Sequence, residues 1–303
     1  MATVGMIGLG LMGLPIAQHL LEAGYGVAGF RRSEAKDFIA MGGELLKSPR
    51  HVIEAADVVL CCIPSDVALR DVVSGPQGLI RGDCTGKILV ELSTLSERTK
   101  SEEAEKLARS GGTMLDGAIS GLPPMVKSKS AVYFLSGDEK AYERSRPVLE
   151  TLTTKLCFMG DFGAASKTKL CANMLVAVNL AAIAETLTFG AKQGLDIGRL
   201  VAALADGAGS SVQFQARAGR MATGDWEVAL GTTATLAKDV ELIAAAAKES
   251  ECPIPVLAGV QSVYETALRD GYGGSDVASI YGSVAHRAGL PVPDRNGDAG
   301  HGE

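Results

Sequence analysis

The chain has 303 residues, of which 47% are hydrophobic and only 5% aromatic, and its formal net charge is −6 at pH 7. This length predicts about two domains, and no basic stretch is concentrated enough to indicate nucleic-acid binding. No apolar run approaches the roughly 20 residues of a membrane span and no basic leader precedes the first strand, so we expect a cytoplasmic protein that does not enter a membrane. The six cysteines and four histidines lack metal-ligand spacing, so no metal site is predicted.

A glycine-rich turn near the N-terminus joins a predicted strand to a predicted helix. The apolar run 4–7 leads into Gly8-x-Gly10-x-x-Gly13, and apolar residues with helical spacing follow. In a dinucleotide site the first glycine makes the turn, the second admits the pyrophosphate, and the third lets the helix pack on the strand. A plain glycine-rich turn is the alternative. The nucleotide interpretation places the cofactor contacts at Gly8, Leu9, Gly10, Leu11, Met12 and Gly13.

The end of the second predicted strand, 26–30, bears on the choice of cofactor. An NAD site usually has an Asp or Glu here for the adenine ribose, whereas this chain has Arg31, Arg32 and Ser33. Guanidinium groups suit a 2′-phosphate, because they stay charged and bind oxygens in a fork. We therefore favour NADP(H) over NAD(H). Two solvated arginines, or a shift that brings Glu34 to the ribose, are the alternatives.

Apolar strands alternate with helical patterns through the first 163 residues, which predicts a doubly wound parallel sheet of the Rossmann type. Several of these strands end in small or polar residues, where ligands collect at the carboxyl ends of parallel strands. The later predicted strands are 57–64, 87–94, 113–116, 131–136 and 155–159, and a helix is predicted between two of them at 97–109.

After Gly163 the pattern becomes helical throughout. We therefore predict an α/β Rossmann-type N-terminal domain, 1–163, and an all-α C-terminal domain, 164–290, for substrate binding and oligomerisation. The long helix 167–193 is expected to join them. A tail, 291–303, is rich in Pro, Gly and Asp and is predicted to be disordered. The other predicted helices are 197–205, 236–249, 255–268 and 276–288.

A few polar residues are placed where they could carry chemistry. Ser120 follows a strand, so its hydroxyl could bind a carboxylate, although a Ser-Gly turn without a ligand fits the same pattern. Lys169 and Asn173 are four residues apart and share one helix face, so they could protonate and orient a carbonyl oxygen. A surface Lys–Asn pair is the alternative, and Lys167 is a competing candidate. Lys238-Asp239, on a later predicted helix, could close the cleft between the domains or be an exposed pair.

Four segments resemble the β-hydroxyacid dehydrogenase family, which includes 3-hydroxyisobutyrate dehydrogenase, and they occur in the family's order. They are similar to its GLGxMGxPMA cofactor stretch, its DAPVSGG substrate stretch, its GxxGxxxxxKxxNN catalytic stretch and its late KD pair. Together they span nearly the whole chain. The matching residues are 6–17, 116–121, 160–173 and 238–239.

The resemblance implies an NAD(P)-dependent oxidoreductase that interconverts a small 3-hydroxyacid and its semialdehyde or oxoacid. Lys169 would be the catalytic general acid and base, and Asn173 would position the substrate. Ser120, with Gly121 and Leu122, would hold the substrate carboxylate, so that the partner is a small carboxylate-bearing molecule. The cofactor would also contact Pro64, Thr94 and Lys238, the last of which would touch the substrate too. A homodimer or homotetramer is expected.

The departures from the family pattern fall on the substrate side. Leu122 replaces the family's second glycine and is followed by Pro123-Pro124-Met125, and Ala172 replaces the first of the paired asparagines. The pattern therefore leaves open which hydroxyacid is used, the direction in the cell and the exact assembly. Retention of the lysine that related imine reductases replace favours alcohol–carbonyl chemistry. The alternative is a non-catalytic nucleotide-binding reader or scaffold of the same fold.

Overall fold

The computed structural model describes residues 2–292, and its N-terminal part is built on an eight-stranded sheet. The strand order is β3-β2-β1-β4-β5-β6-β7-β8, and neighbouring strands pair in parallel except for the antiparallel β6–β7 pair. This is the doubly wound Rossmann arrangement with two strands added at one edge. The strands are β1 Thr3–Ile7, β2 Gly26–Phe30, β3 Glu44–Leu45, β4 Val58–Cys61, β5 Ile88–Glu91, β6 Thr113–Ser120, β7 Val132–Ser136 and β8 Leu156–Phe158.

Both faces of this sheet are buried, because alternate residues of each strand enter different hydrophobic clusters. In β4, Val58 and Leu60 belong to one cluster, whereas Val59 and Cys61 belong to the other. Burial on both faces explains why the parallel strands are continuous apolar runs. The helices that cover the faces are α1 Gly13–Glu22, α2 Lys36–Ala40, α3 Pro49–Ala55, α4 Asp66–Ser74, α5 Glu97–Arg109, α6 Pro123–Lys127 and α7 Glu139–Leu149.

Strand β6 is longer than the sequence predicts. We predicted a strand that ends at Asp116, but β6 continues to Ser120 through residues such as Gly117 that are uncommon in strands. The added residues pair with β7 in an antiparallel register, from Asp116 opposite Ser136 to Ser120 opposite Val132. Ser120 is therefore the last residue of a strand instead of part of a loop after it.

The chain divides into two compact units between Lys169 and Leu170, inside helix α8. The second unit is all-helical in its described residues, so the fold is a Rossmann-type α/β domain followed by an all-α domain, with α8 running through the boundary. Buried side chains of α8, α10, α11 and α12 form the second unit's core. Its helices are α8 Ala164–Lys192, α9 Ile197–Leu204, α10 Val212–Thr223, α11 Thr233–Glu249, α12 Pro255–Arg269 and α13 Ile280–Arg287.

Helix α10 was not predicted from the sequence. Two of its arginines form ion pairs with a buried carboxylate. Arg217 is almost completely buried, and its Nε donates to Asp276 Oδ1 at 2.9 Å. Arg220 also lies against this carboxylate, with Nη1 3.0 Å from Oδ2. Two arginines in a twelve-residue helix weaken the apolar periodicity, which hides the helix from a pattern-based prediction.

The expectation that no apolar run approaches the length of a membrane span is wrong for helix α8. This helix is long and apolar enough to cross a membrane, by length and composition alone. Core helices of helical domains meet the same criterion, and 39% of the apolar window of α8 is buried. Its residues Ala177, Leu180 and Leu187 are fully buried in the core of the helical unit. Of the tail predicted to be disordered, residues 293–303 lie outside the described part of the chain, whereas Val292 packs against this core.

Candidate cofactor and catalytic site

The strand order reverses between β1 and β4, which is where dinucleotides bind in doubly wound sheets. Backbone hydrogen bonds tie the residues that follow these two strands to the ends of neighbouring strands. Cys62 N donates to the Ile7 carbonyl at 2.8 Å, and Gly8 N donates to the Phe30 carbonyl at 3.0 Å. The glycine-rich turn therefore lies at the switch point, at the carboxyl edge of the sheet.

The three glycines of this turn have different surroundings. Gly8 has a φ of +89°, and a Cβ atom placed on it would overlap the Cys62 carbonyl oxygen. A Cβ on Gly13 would overlap the carbonyl oxygen of Gly8, so both glycines are required by packing. A Cβ on Gly10 would meet no atom within 4 Å, and no side chain caps the N-terminus of α1. Open space at the second glycine, beside an uncapped helix N-terminus, fits a dinucleotide pyrophosphate.

These surroundings predict that Gly10→Ala separates cofactor binding from folding. The melting temperature should stay near that of the wild type, because the new methyl group meets no protein atom. Affinity for the dinucleotide should fall about tenfold or more, since the methyl occupies the space of the pyrophosphate. Thermal melting with and without cofactor measures both. Gly13→Ala is the matched control and should lower the melting temperature without any cofactor present.

The arginines after β2 are not equivalent. Arg31 is half-buried and is bound to the protein itself: its Nε donates to Ser33 Oγ at 2.9 Å and its Nη1 to the Leu9 carbonyl at 3.0 Å. Its Nη2 contacts the Glu34 carbonyl. Arg32 and Ser33 are exposed. Arg31 thus shapes the loop and the glycine-rich turn, and Arg32 presents its guanidinium to solvent at the carboxyl edge.

The loops after β4 and β5 are joined through a serine. Ser93 Oγ accepts a hydrogen bond from Ile63 N at 2.8 Å, which fixes the backbone next to Pro64 and Thr94. Pro64 is exposed and Thr94 is half-buried. Both predicted cofactor contacts therefore lie on the same edge of the sheet as the glycine-rich turn.

The predicted carboxylate site begins where β6 ends. Ser120 is half-buried, and Gly121 leads into the short helix α6, with Leu122 as its first flanking residue. A Cβ on Gly121 would lie 2.8 Å from the Ala131 Cβ, so this backbone packs closely on the start of β7. Leu122 has no side chain that could accept a hydrogen bond at the start of α6. The first backbone N–H groups of this helix therefore have no side-chain acceptor at the capping position.

The structure separates the two candidate lysines at the start of α8. Lys167 has an exposed side chain, 64% accessible, and its Nζ lies 3.1 Å from Glu97 Oε1 in a surface ion pair. Lys169 is buried, with 9% of its surface accessible. The alternative interpretation, a surface Lys–Asn pair, does not describe Lys169 and Asn173, because both are buried.

In the helical unit, two other predicted residues meet at one carboxylate. Asn173 Nδ2 donates to Asp239 Oδ2 at 2.6 Å, and Lys238 Nζ lies 3.1 Å from Asp239 Oδ1. Asp239 and Asn173 are both buried, so Lys238-Asp239 is not an exposed pair. Because the Asn173 amide nitrogen donates to Asp239, its oxygen is left to accept hydrogen bonds.

A buried charge cluster in the Rossmann unit was missed by the sequence analysis. Lys100 on α5 is completely buried; its Nζ lies 2.7 Å from Glu91 Oε2 and 2.9 Å from Asp116 Oδ1, and it donates to the Gly117 carbonyl at 2.8 Å. The contact with Glu91 is an ion pair by distance without the directed geometry of a hydrogen bond. The available signal was Glu91 inside an apolar strand, but nothing pointed to Lys100 as its partner.

The pKa values of the two carboxyl groups in this cluster are shifted in opposite directions. Burial raises the pKa of Glu91, and the nearby Lys100 charge offsets that rise only in part. Burial acts in the same direction on Asp116, but the Lys100 charge and hydrogen bonds from Ser166 outweigh it and hold the pKa of Asp116 below its usual value. Of the two carboxyl groups, Asp116 is thus the one whose ionised form its surroundings favour.

Comparisons with known proteins agree with this arrangement. Residues 3–160 match the family model of the NAD binding domain of 6-phosphogluconate dehydrogenase, and residues 163–284 match that of the NAD-binding region of NADP-dependent 3-hydroxyisobutyrate dehydrogenase. The chain is 28% identical to mouse mitochondrial 3-hydroxyisobutyrate dehydrogenase over 92% of its own length and 85% of the relative's. It is 29% identical to L-threonate dehydrogenase of Cupriavidus necator, over 91% and 94% of the two chains.

A solved structure and a longer relative complete the comparison. The crystal structure of 3-hydroxyisobutyrate dehydrogenase from Salmonella typhimurium has a TM-score of 0.86 and 26% identity, and covers 93% of this chain and 99% of its own. Human cytokine-like nuclear factor N-PAC is 28% identical over 93% of this chain, but the match spans only 51% of that protein's length. With both halves matched in order, the chain belongs to the NAD(P)-dependent β-hydroxyacid dehydrogenase family of the 3-hydroxyisobutyrate dehydrogenase type.

Proposed function

We propose that the protein is an NADP(H)-dependent oxidoreductase that interconverts a small 3-hydroxyacid and its semialdehyde or oxoacid. The observation that carries this proposal is the buried Lys169, which shares one face of α8 with Asn173 one turn further on. An enzyme that moves a proton to and from a carbonyl oxygen needs a titratable group shielded from bulk water. A nucleotide-binding scaffold would not require one there.

Each proposed residue then has a separate task. Lys169 Nζ gives a proton to the carbonyl oxygen during reduction and removes it from the hydroxyl during oxidation. When bound, the cofactor supplies or accepts the hydride. Asn173 positions the substrate, and its donation to Asp239 favours an amide oxygen that accepts from the substrate hydroxyl. Lys238 contacts the cofactor and substrate, in line with the family pattern.

The cofactor assignment rests on the surroundings of the glycine-rich turn. The pyrophosphate would lie against residues 8–13, with Pro64 and Thr94 on the nicotinamide side. Arg32, which is exposed after β2, would bind the 2′-phosphate together with Ser33, while Arg31 holds the loop in shape. We therefore propose NADP(H) over NAD(H), because a flexible guanidinium can form charge-assisted hydrogen bonds with the phosphate.

The substrate carboxylate is proposed to bind at Ser120, with the backbone of Gly121 and Leu122. Ser120→Ala should raise the KM for acid substrates roughly tenfold with little effect on NADPH affinity, because it removes a contact made in the ground state. Steady-state kinetics with a semialdehyde acid and with the matching aldehyde that lacks the carboxylate measure this. An equal loss for both aldehydes would contradict the assignment.

A scan of NADPH and NADH oxidation against small semialdehyde acids tests the proposed function as a whole. Turnover with at least one of them, faster with NADPH, is expected. The alternative is a non-catalytic reader or scaffold of the same fold. The similarity to N-PAC, which is named as a nuclear factor and not as a dehydrogenase, supports this alternative. That alternative requires dinucleotide binding, measured by calorimetry, without turnover of any acid in the scan.

The assembly is proposed to be a homodimer or homotetramer, active in the cytoplasm without nucleic acid or membrane. Large apolar side chains exposed on the helical unit support self-association, among them Leu175 and Phe189 on α8 and Val212 on α10. Sedimentation velocity measures the assembly directly. A monomer at micromolar concentration would contradict this part of the proposal.

A further inference from the structure

The first turn of α8 is tied to the sheet by side chains distant in sequence. Ser166 N donates to Asp116 Oδ2 at 2.9 Å, and Ser166 Oγ donates to Asp116 Oδ1 at 2.6 Å. Ala165 N donates to Ser136 Oγ at 3.0 Å, and the same hydroxyl donates to Asp116 Oδ2 at 3.1 Å. The first N–H groups of a helix have no partner within the helix, so these contacts cap α8 from β6 and β7.

The charge state of this cap is set by the buried lysine. Asp116 is compensated by Lys100, and a carboxylate at a helix N-terminus also interacts favourably with the helix dipole. All of these groups are buried, so water competes little for their hydrogen bonds. Ser166 lies three residues before Lys169, and therefore on the same side of the helix and within one turn of it.

The same cluster reaches the cofactor-side loops. Glu91 Oε1 accepts a hydrogen bond from Ser93 N at 3.0 Å, and Ser93 Oγ in turn accepts from Ile63 N. Lys100 contacts Glu91 and Asp116 together. One buried lysine thus connects the loops next to Pro64 and Thr94 with the helical turn that ends at Lys169.

We propose that Asp116 and Ser166 are positioning residues, which cap the first turn of α8 from inside the sheet and thereby fix Lys169 relative to the cofactor loops. This inference rests on the proposed function, because it assigns the contacts to the proton-transferring lysine. The effect on catalysis follows from geometry. Displacing a reacting group by a fraction of an ångström lowers the rate of the chemical step, and 1 Å can cost about a hundredfold.

Ser166→Ala is the test, because it removes one buried hydroxyl and leaves the backbone hydrogen bond to Asp116 in place. We expect kcat with a semialdehyde acid to fall roughly tenfold while the affinity for NADPH stays within about twofold of wild type. The primary isotope effect with NADPH deuterated at C4 should rise, because chemistry becomes slower than product release. In the protein without cofactor, amide hydrogen exchange in residues 164–170 should become at least threefold faster, as expected for a weakened local cap.

Ser145→Ala is the matched control, since Ser145 is a fully buried serine that donates to the Tyr142 carbonyl at 3.0 Å within α7. It should leave kcat, the isotope effect and the exchange of residues 164–170 unchanged. If Ser166→Ala matches this control in all three measurements, the proposal is overturned. If the wild type oxidises no NADPH with any semialdehyde, the proposed function fails instead, and the exchange experiment still decides whether the cap exists.

Discussion

Lys169→Ala should lower kcat by about 10²–10⁴-fold, the usual contribution of a positioned general acid or base. The expected loss is in the chemical step, because the ε-ammonium group is the proposed proton donor to the carbonyl oxygen. Affinity for NADPH should barely change, since the phosphates are proposed to bind at residues 8–13. Steady-state kinetics together with calorimetric titration of NADPH separate the two effects.

Two further variants make this prediction specific. Lys169→Arg should restore little activity, because a guanidinium does not give up its proton near neutral pH. Lys167→Ala should stay close to wild type, because the Lys167 side chain is exposed and its ion pair with Glu97 lies at the surface. An inactive Lys167→Ala beside an active Lys169→Ala would place the catalytic position two residues away.

The parts of the fold that follow from local pattern were predictable from the sequence. The strands around the glycine-rich turn are short apolar runs bounded by glycine or proline. Because both faces of the sheet bury them, the length of each run and its flanking residues were sufficient to predict them. Helix α5 begins after Ser96, whose side chain accepts from Thr99 N, and its observed bounds are those predicted. The short helices α2 and α6 have five residues each, too few for a helical period to emerge.

The buried charged residues beneath the candidate site were not predictable from local sequence pattern. Lys100 lies in a helix whose other charged residues are mostly solvated, and lysine is rarely buried without a partner. Its partners, Glu91 and Asp116, come next to it only through the pairing of β5 with β6, which is a property of the tertiary structure. Sequence analysis proposed Lys169 from its spacing to Asn173 together with the family resemblance, but it did not propose the carboxylate that caps its helix.

Replacement of the arginines after β2 should have the second-largest effect, and the structure predicts that the two single variants differ. Arg32→Ala should weaken NADPH binding tenfold or more and leave NADH binding nearly unchanged, because the 2′-phosphate is the only difference between them. Each charge-assisted hydrogen bond that is lost is worth roughly 1.5–3 kcal/mol, which corresponds to a factor of about 10 to 150 in the dissociation constant.

Arg31→Ala should weaken both cofactors, because Arg31 holds the backbone carbonyl of Leu9 inside the glycine-rich turn as well as Ser33. If the two contributions add, the double variant should lose the product of the two single effects in NADPH affinity, which is tenfold or more, and less than tenfold in NADH affinity. Fluorescence titration of both reduced cofactors against the three variants measures this difference.

Arg109→Ala is a control for the change in net charge. Arg109 is exposed and is the last residue of α5, so it lies near the start of β6 and not at the carboxyl ends of the strands, where the cofactor is proposed to bind. It should leave both dissociation constants within about twofold, because salt screens an exposed charge at the other end of the strands. An equal loss of NADPH and NADH affinity in Arg32→Ala would remove the argument for NADP(H). The exposed guanidinium would then be a solvated side chain, and Glu34, two residues further on, would become the candidate for binding the ribose.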